Sequence, residues 1–150
     1  MTNPTATAFG YPHTLVAETT HWLVLVRPKQ PTWGSLALVC KEPVQAFADL
    51  SAEAFVDLKV ATSGIEAMLG RLVAYERINY LMLMMVDRDV HFHVIPRYDG
   101  TREDAGLTFA DAGWPGPPAV GQTVDLDADQ AENLARRLGE AWPRTEVAAQ

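Results

Sequence analysis

Two of the chain's four histidines, His91 and His93, stand two residues apart in the run Asp89-Val90-His91-Phe92-His93-Val94-Ile95-Pro96-Arg97-Tyr98. In an extended strand, residues i and i+2 point to the same face. Asp89, His91 and His93 then share one face, and Val90, Phe92 and Val94 the other. An imidazole titrates near neutral pH, so a pair on one face suits proton transfer, nucleophilic attack or metal ligation. To act as a nucleophile, the ring must be neutral at the attacking nitrogen, with the proton on its other nitrogen fixed by a carbonyl or carboxylate. His93, one strand repeat away, has the reach to bond the group under attack or its leaving group. As a metal shell, Asp89, His91 and His93 supply a carboxylate and two imidazoles, suited to Zn²⁺ or another transition metal. A further ligand must then come from elsewhere, and the chain has no His-x-x-x-His pair or cysteine cluster to supply it.

The elements that must position these groups follow from the apolar pattern. Thr20–Val26 and Ser35–Cys40 are apolar strands separated by Arg27-Pro28-Lys29-Gln30-Pro31-Thr32-Trp33-Gly34, whose prolines and glycine are turn chemistry. Residues 21–40 thus read as an antiparallel pair. Ser51 suits a helix N-cap, and Phe55, Leu58, Ile65, Met68, Leu69 and Leu72 recur at helical spacing, predicting a long helix over about 51–74. Gly64 and Gly70 weaken it by about 1 kcal/mol each relative to alanine. The dense apolar run Arg77–Val86 reads as a strand buried on both faces, with Met82, Met84 and Met85 as core; Asp87-Arg88 is then a tight turn into a strand over 89–95. Residues 1–12 read as a loose lead-in and 99–123, rich in Gly, Pro and acidic groups, as a loop. Asp127-Ala128-Asp129-Gln130 has capping-box spacing and opens a helix to about Trp142, ended by Pro143. Strand pair, helix, strand pair, loop and helix make an α+β domain with an antiparallel sheet.

The 150 residues fit one domain, with a core over about 18–98 and a loop and helix over 99–143. A hydrophobic content of 48% and a charged content of 21% are those of a globular chain. The net charge of −7 argues against a general nucleic-acid binder, though not against a small phosphorylated ligand in a local basic pocket. Cys40 is the only cysteine, so no internal disulfide forms, which fits a reducing compartment. Met1–Gly10 has no signal-peptide pattern, and no stretch approaches a membrane span, so no membrane partner and a cytoplasmic location are expected.

The segment Val90–Arg97 resembles the histidine triad family, whose signature alternates three histidines with apolar residues. The resemblance extends upstream to Gly34-Ser35 after a Pro-containing turn, the strand Leu36–Cys40, the helix start at Asp49-Leu50-Ser51, and Asn79, and it covers about residues 18–98. It implies a small α+β fold that dimerises by joining two sheets into one. It also implies nucleotide binding without a cofactor, and nucleotidyl hydrolase or transferase activity. By that resemblance the middle histidine, here His91, is expected to attack the α-phosphorus of a nucleoside-phosphate compound, with water cleaving the covalent nucleotidyl-histidine. His93 is the third triad histidine. The implied substrates are nucleoside monophosphates joined to a leaving group, as in dinucleoside polyphosphates or nucleoside phosphoramidates.

The chain departs from this pattern twice. Asp89 replaces the first triad histidine, and Ser35 stands where a further family histidine follows the glycine. A carboxylate facing the site would repel phosphate and raise the pKa of nearby imidazoles. Alternatively Asp89 turns aside, or orients an imidazole. Groups near Ser35 are placed to bind developing phosphoryl charge or simply start a strand; Asn79 is a nucleotide contact or a buried strand amide. Arg97 and Tyr98 bind phosphate or close the strand end, and Gly106–Pro118 is a lid, a dimer contact or a docked loop. His13 and His21 carry no assigned role. The competing readings are a non-catalytic nucleotide-binding dimer and the Asp89/His91/His93 metal site.

Overall fold

The segments 22–26 and 36–40 are wholly apolar, rich in the Val, Leu and Trp that favour strands, and every residue of both is buried. Such strands need apolar cover on both sheet faces. The computed structural model describes residues 3–144. In chain order its elements are α1 (Pro4–Ala8), β1 (Leu15–Glu18), β2 (Trp22–Val26), β3 (Lys29–Gln30), β4 (Leu36–Cys40), α2 (Ala52–Leu72), β5 (Arg77–Leu81), β6 (His91–Arg97), β7 (Thr101–Asp104), β8 (Leu107–Ala110), β9 (Val124–Asp125) and α3 (Ala128–Glu140). One antiparallel sheet runs β1-β2-β4-β6-β5, as the α+β reading expects. The expected pair within 21–40 is β2 and β4, in register from Trp22↔Cys40 to Val26↔Leu36.

One sheet face meets α2. Ser51 caps this helix by accepting the Ala54 N–H, and Ala54, Ala61, Ile65, Met68 and Leu69 pack on Trp22, Val24, Leu36, Leu38 and Val94. The Trp22 indole N–H donates to the Ala54 carbonyl at 2.9 Å, satisfying the one polar atom this large side chain buries. α3 opens on the predicted capping box of Asp127 and Gln130 and adds Leu134, Ala135 and Leu138 to the same core. Gly64 has a packing reason: a Cβ there would lie 2.2 Å from the Trp142 ring. The opposite sheet face carries Leu23, Leu25, Ala37 and Val39, which pack with Ala6 and Phe9 of the N-terminal segment.

That segment corrects the expectation of a loose lead-in. Asn3 accepts the Ala6 N–H as an N-cap, Pro4 sits at the helix start, and Thr5 and Ala6 are buried on the sheet. Five residues are too few to show a helical period, and contacts with distant parts of the chain, the apolar sheet face and Asp89, hold them. The strand expected over 77–86 ends at Leu81, whose partner His93 is the last in the pairing with β6. Beyond it Met84 takes a left-handed φ of 56° and Met85 is 85% exposed, so the methionine cluster is not plain core. Met82 and Met84 still rest against the α2-side core. The second strand of that pair starts at His91 rather than Asp89. Within the expected loop 99–123, β7 and β8 form a hairpin turning at Ala105 and Gly106, both at positive φ. Alanine in place of the usual Asn or Asp at the first turn position concealed it.

Candidate active site

β6 lies between β4 and β5, and its alternation sends Phe92 and Val94 to the α2 side. His91 and His93 fall on the other face, where the Phe9 ring packs against both imidazoles at centroid distances of 5.8 Å. The two imidazoles stand edge to face, 5.1 Å apart. His91 is 2% exposed. Its Nδ1 lies 2.7 Å from the backbone carbonyl of Asp89. A carbonyl only accepts, so in the neutral ring Nδ1 carries the proton and Nε2 the lone pair. The tautomer needed for attack through Nε2 is therefore set by the backbone, two residues upstream.

The Asp89 carboxylate lies on the α1 side, the face it was expected to share with the histidines, but it bonds α1 and Gln45 rather than the imidazoles. The alternation runs on past the start of β6, with Val90 in the α2-side core and Asp89 facing α1. One carboxylate oxygen accepts from the Thr5 N–H at 3.3 Å and the Thr5 hydroxyl at 3.0 Å, and the other from the Gln45 amide at 3.1 Å. The Asp89 N–H returns a bond to Thr5 Oγ1 at 3.1 Å. The side chain thus turns aside to anchor α1, while the main chain orients His91. This also undoes the three-ligand metal shell, and no cluster of three metal-ligating side chains occurs among the described residues. Nor does His93 show the raised pKa expected beside a carboxylate. Burial first, then the Arg27 charge and His91, push it down to about 4. His93 Nδ1 is buried without a hydrogen-bond partner among the described residues.

Ser35 and Asn79 are placed in the framework. The Ser35 hydroxyl donates to the Thr32 carbonyl at 2.8 Å and accepts the Thr32 N–H at 3.2 Å, closing the turn before β4. The Asn79 side-chain oxygen accepts from Arg97 Nη1 at 2.8 Å. Arg97 is itself buried and forms a bidentate pair with Asp111, at 2.7 and 3.1 Å, while Nη2 also donates to the Gly116 carbonyl. The Tyr98 hydroxyl accepts the Trp33 N–H at 2.8 Å. Of the alternatives for Arg97 and Tyr98, the geometry selects closure of the strand end, and it docks the 111–116 loop.

A cleft of about 800 Å³ lies along β5 and residues 114–118 and contains neither histidine. Its one buried cation, Arg97, is already paired, so the chemistry stays with the β6 histidines. A smaller cleft of about 350 Å³ opens between α1 and the sheet, lined by Thr7, Tyr11, Leu23, Lys41 and Asp89 among others. Sequence reasoning missed Thr5 and Phe9, which lie more than eighty residues from the histidines. It also missed Arg27, which the alternation Leu23, Leu25, Arg27 could have placed on the histidine face. His13 pairs with Glu132 at an exposed site, away from β6.

No protein-family model and no curated protein matches the sequence. The structure is similar to that of a histidine triad protein from Sinorhizobium meliloti, at 21% identity, 94% of this chain, 96% of that chain and a TM-score of 0.71. A histidine triad protein from Bradyrhizobium japonicum matches at 21% identity, 86% of this chain, 90% of that chain and a TM-score of 0.66. The diadenosine triphosphate hydrolase of Plasmodium falciparum matches at 15% identity, 86% of this chain, 76% of that chain and a TM-score of 0.63. These likenesses show a histidine triad fold. Among the described residues, no helix is long and apolar enough to cross a membrane.

Proposed function

We propose that the chain is a nucleotide-binding phosphohydrolase or nucleotidyl transferase with His91 as nucleophile, acting on dinucleoside polyphosphates or nucleoside phosphoramidates. The observation that carries this reading is the 2.7 Å bond from His91 Nδ1 to the Asp89 carbonyl, which presents Nε2 as the lone-pair nitrogen. The Nε2 pair forms an N–P bond to the α-phosphorus while the bond from phosphorus to the leaving atom breaks, and that atom keeps the electron pair. The ring, now cationic, retains its Nδ1 proton, and the Asp89 carbonyl stabilises the charge. Water then adds its oxygen to phosphorus and loses a proton to solvent, and the N–P pair returns to Nε2, releasing a nucleoside monophosphate. No cofactor enters either step. His93 contacts the phosphate oxygens or the leaving group. Asp89 is a positioning residue.

The neighbour that hydrolyses diadenosine triphosphate supports the substrate class through the shared fold alone. The same reading carries a homodimer, for which β5, an edge strand of the sheet, offers free backbone groups. A cytoplasmic location accompanies it, in keeping with the one free cysteine. Incubation with diadenosine triphosphate and with an adenosine phosphoramidate, with AMP release and an adenylyl adduct followed by mass spectrometry, tests the reading. AMP and adduct from the wild type but not from His91→Ala are expected, and full activity in His91→Ala overturns it. The burial of His91 under Phe9 favours one second reading, a nucleotide-binding dimer without turnover. That reading predicts nucleotide binding with neither AMP nor adduct.

A further inference from the structure

Arg27 extends β2 by one residue. Its N–H donates to the Ser35 carbonyl at 3.1 Å, continuing the ladder beyond Val26↔Leu36. Leu23 and Leu25 pack on the histidine face, so the alternation carries Arg27 to that face as well. Leu25, Ala37 and His93 form one row across β2, β4 and β6, and Arg27 and Ser35 begin the next. Strand spacing and rise set the Cα atoms of Arg27 and His93 about 12 Å apart, and of Arg27 and His91 about 16 Å. The intervening β4 residues on this face, Ala37 and Ser35, are both short.

Among the described residues the guanidinium has no compensating charge. Arg27 makes no ion pair or side-chain hydrogen bond among the described residues, and its Nε is buried and unpartnered. In a chain with 19 acidic and 12 basic residues, that is not for want of carboxylates. Arg97 and Arg137 both have one. A half-buried cation without a partner is costly unless an anion completes it.

We propose that Arg27 is an anion-binding residue of the His91 site and holds a phosphate group of the substrate other than the one His91 attacks. The site then takes nucleotides carrying a polyphosphate chain in preference to phosphoramidates. This rests on the reading of His91 as nucleophile and selects between its two substrate classes. His93 agrees: held down to about 4, it is neutral at pH 7 and has no acidic proton to spare for a leaving amine. A polyphosphate needs none. When the bridging P–O bond breaks, the electron pair stays on the departing phosphate oxygen, and Arg27 faces the added negative charge.

Two measurements test this, one of them independent of turnover. Inorganic pyrophosphate is titrated into wild type, Arg27→Met and Arg27→Lys, with calorimetry and the Arg27 Nε–H resonance as readouts. Binding by wild type with movement of that resonance is expected, with an affinity about ten- to a hundredfold lower in R27M and an intermediate loss in R27K. The ratio of kcat/KM for diadenosine triphosphate to that for an adenosine phosphoramidate should fall by a similar factor in R27M. Equal pyrophosphate affinity in wild type and R27M overturns the proposal, as does a stationary Arg27 resonance in wild type whether or not the variants fold. Equal loss of both substrates in R27M overturns it too. Arg27-dependent pyrophosphate binding with no turnover of either nucleotide leaves the anion site standing and removes the nucleophile reading instead.

Discussion

Phe9 sits on both imidazoles, and His91 beneath it is 2% exposed, which leaves no room for a phosphorus with its leaving group in line with Nε2. Turnover therefore requires α1 to lift. What holds it down is the packing of Ala6 and Phe9 on Leu23, Leu25, Ala37 and Val39, the Thr5 bonds to Asp89, and the Asn3 amide donating to the Cys40 carbonyl at 3.0 Å. A core Phe→Ala change costs about 3–5 kcal/mol. At the rim of the fold, where the segment relaxes, about 2 kcal/mol is reasonable, or roughly a 30-fold rise in the lifted population. A ligand that binds only the lifted form gains apparent affinity by the same factor. Phe9→Ala should thus raise kcat/KM about 30-fold with little change in kcat, while lowering Tm by about 4–8 °C. Steady-state kinetics of AMP release and a thermal melt on one preparation check both, with Phe9→Ala/His91→Ala as the background. A lowered Tm with unchanged kcat/KM refutes the gating argument. A fall in kcat/KM shows that Phe9 positions the imidazoles rather than covering them.

His93, at about 4, should titrate well below the ordinary imidazole range in NMR. Because the folded ring resists a proton that the unfolded ring accepts, stability is whole above about pH 6.5 and declines as pH falls toward 4. His93→Gln should flatten that decline, and Arg27→Met should raise the midpoint. Gly64→Ala should destabilise the protein by about 1–3 kcal/mol in denaturant titration, the Trp142 ring clash outweighing the roughly 1 kcal/mol of helix propensity gained. Asp111→Ala strands the buried Arg97 guanidinium and should cost about 3–5 kcal/mol of unfolding free energy. An Asp111→Ala/Arg97→Met double variant should recover part of that loss, and no recovery would mean that the 111–116 loop depends on more than the pair.

The apolar runs over 22–26 and 36–40, the capped helices at Ser51 and Asp127 and the alternation from His91 onward were legible because each is a local signal, read over two to four residues. They determined the α+β class, the antiparallel pair and a shared face for His91 and His93. Local pattern misled wherever the deciding partner was distant. Met82–Val86 is as apolar as a strand, yet its pairing with β6 stops at Leu81↔His93 and the chain leaves the sheet. Asp89 keeps the spacing of a facing residue, yet Thr5, 84 residues away, draws its carboxylate off the site. Ser35 and Asn79 are polar groups at promising positions, but Thr32 and Arg97 engage them. Arg27 acquires its place only when β4 sets two short side chains between it and β6. Which residues could do chemistry is already written in the chain, since residue type and strand period are local properties. Tertiary structure alone decided which of them remain free to do it, because a polar group's availability depends on the partner that folding brings to it.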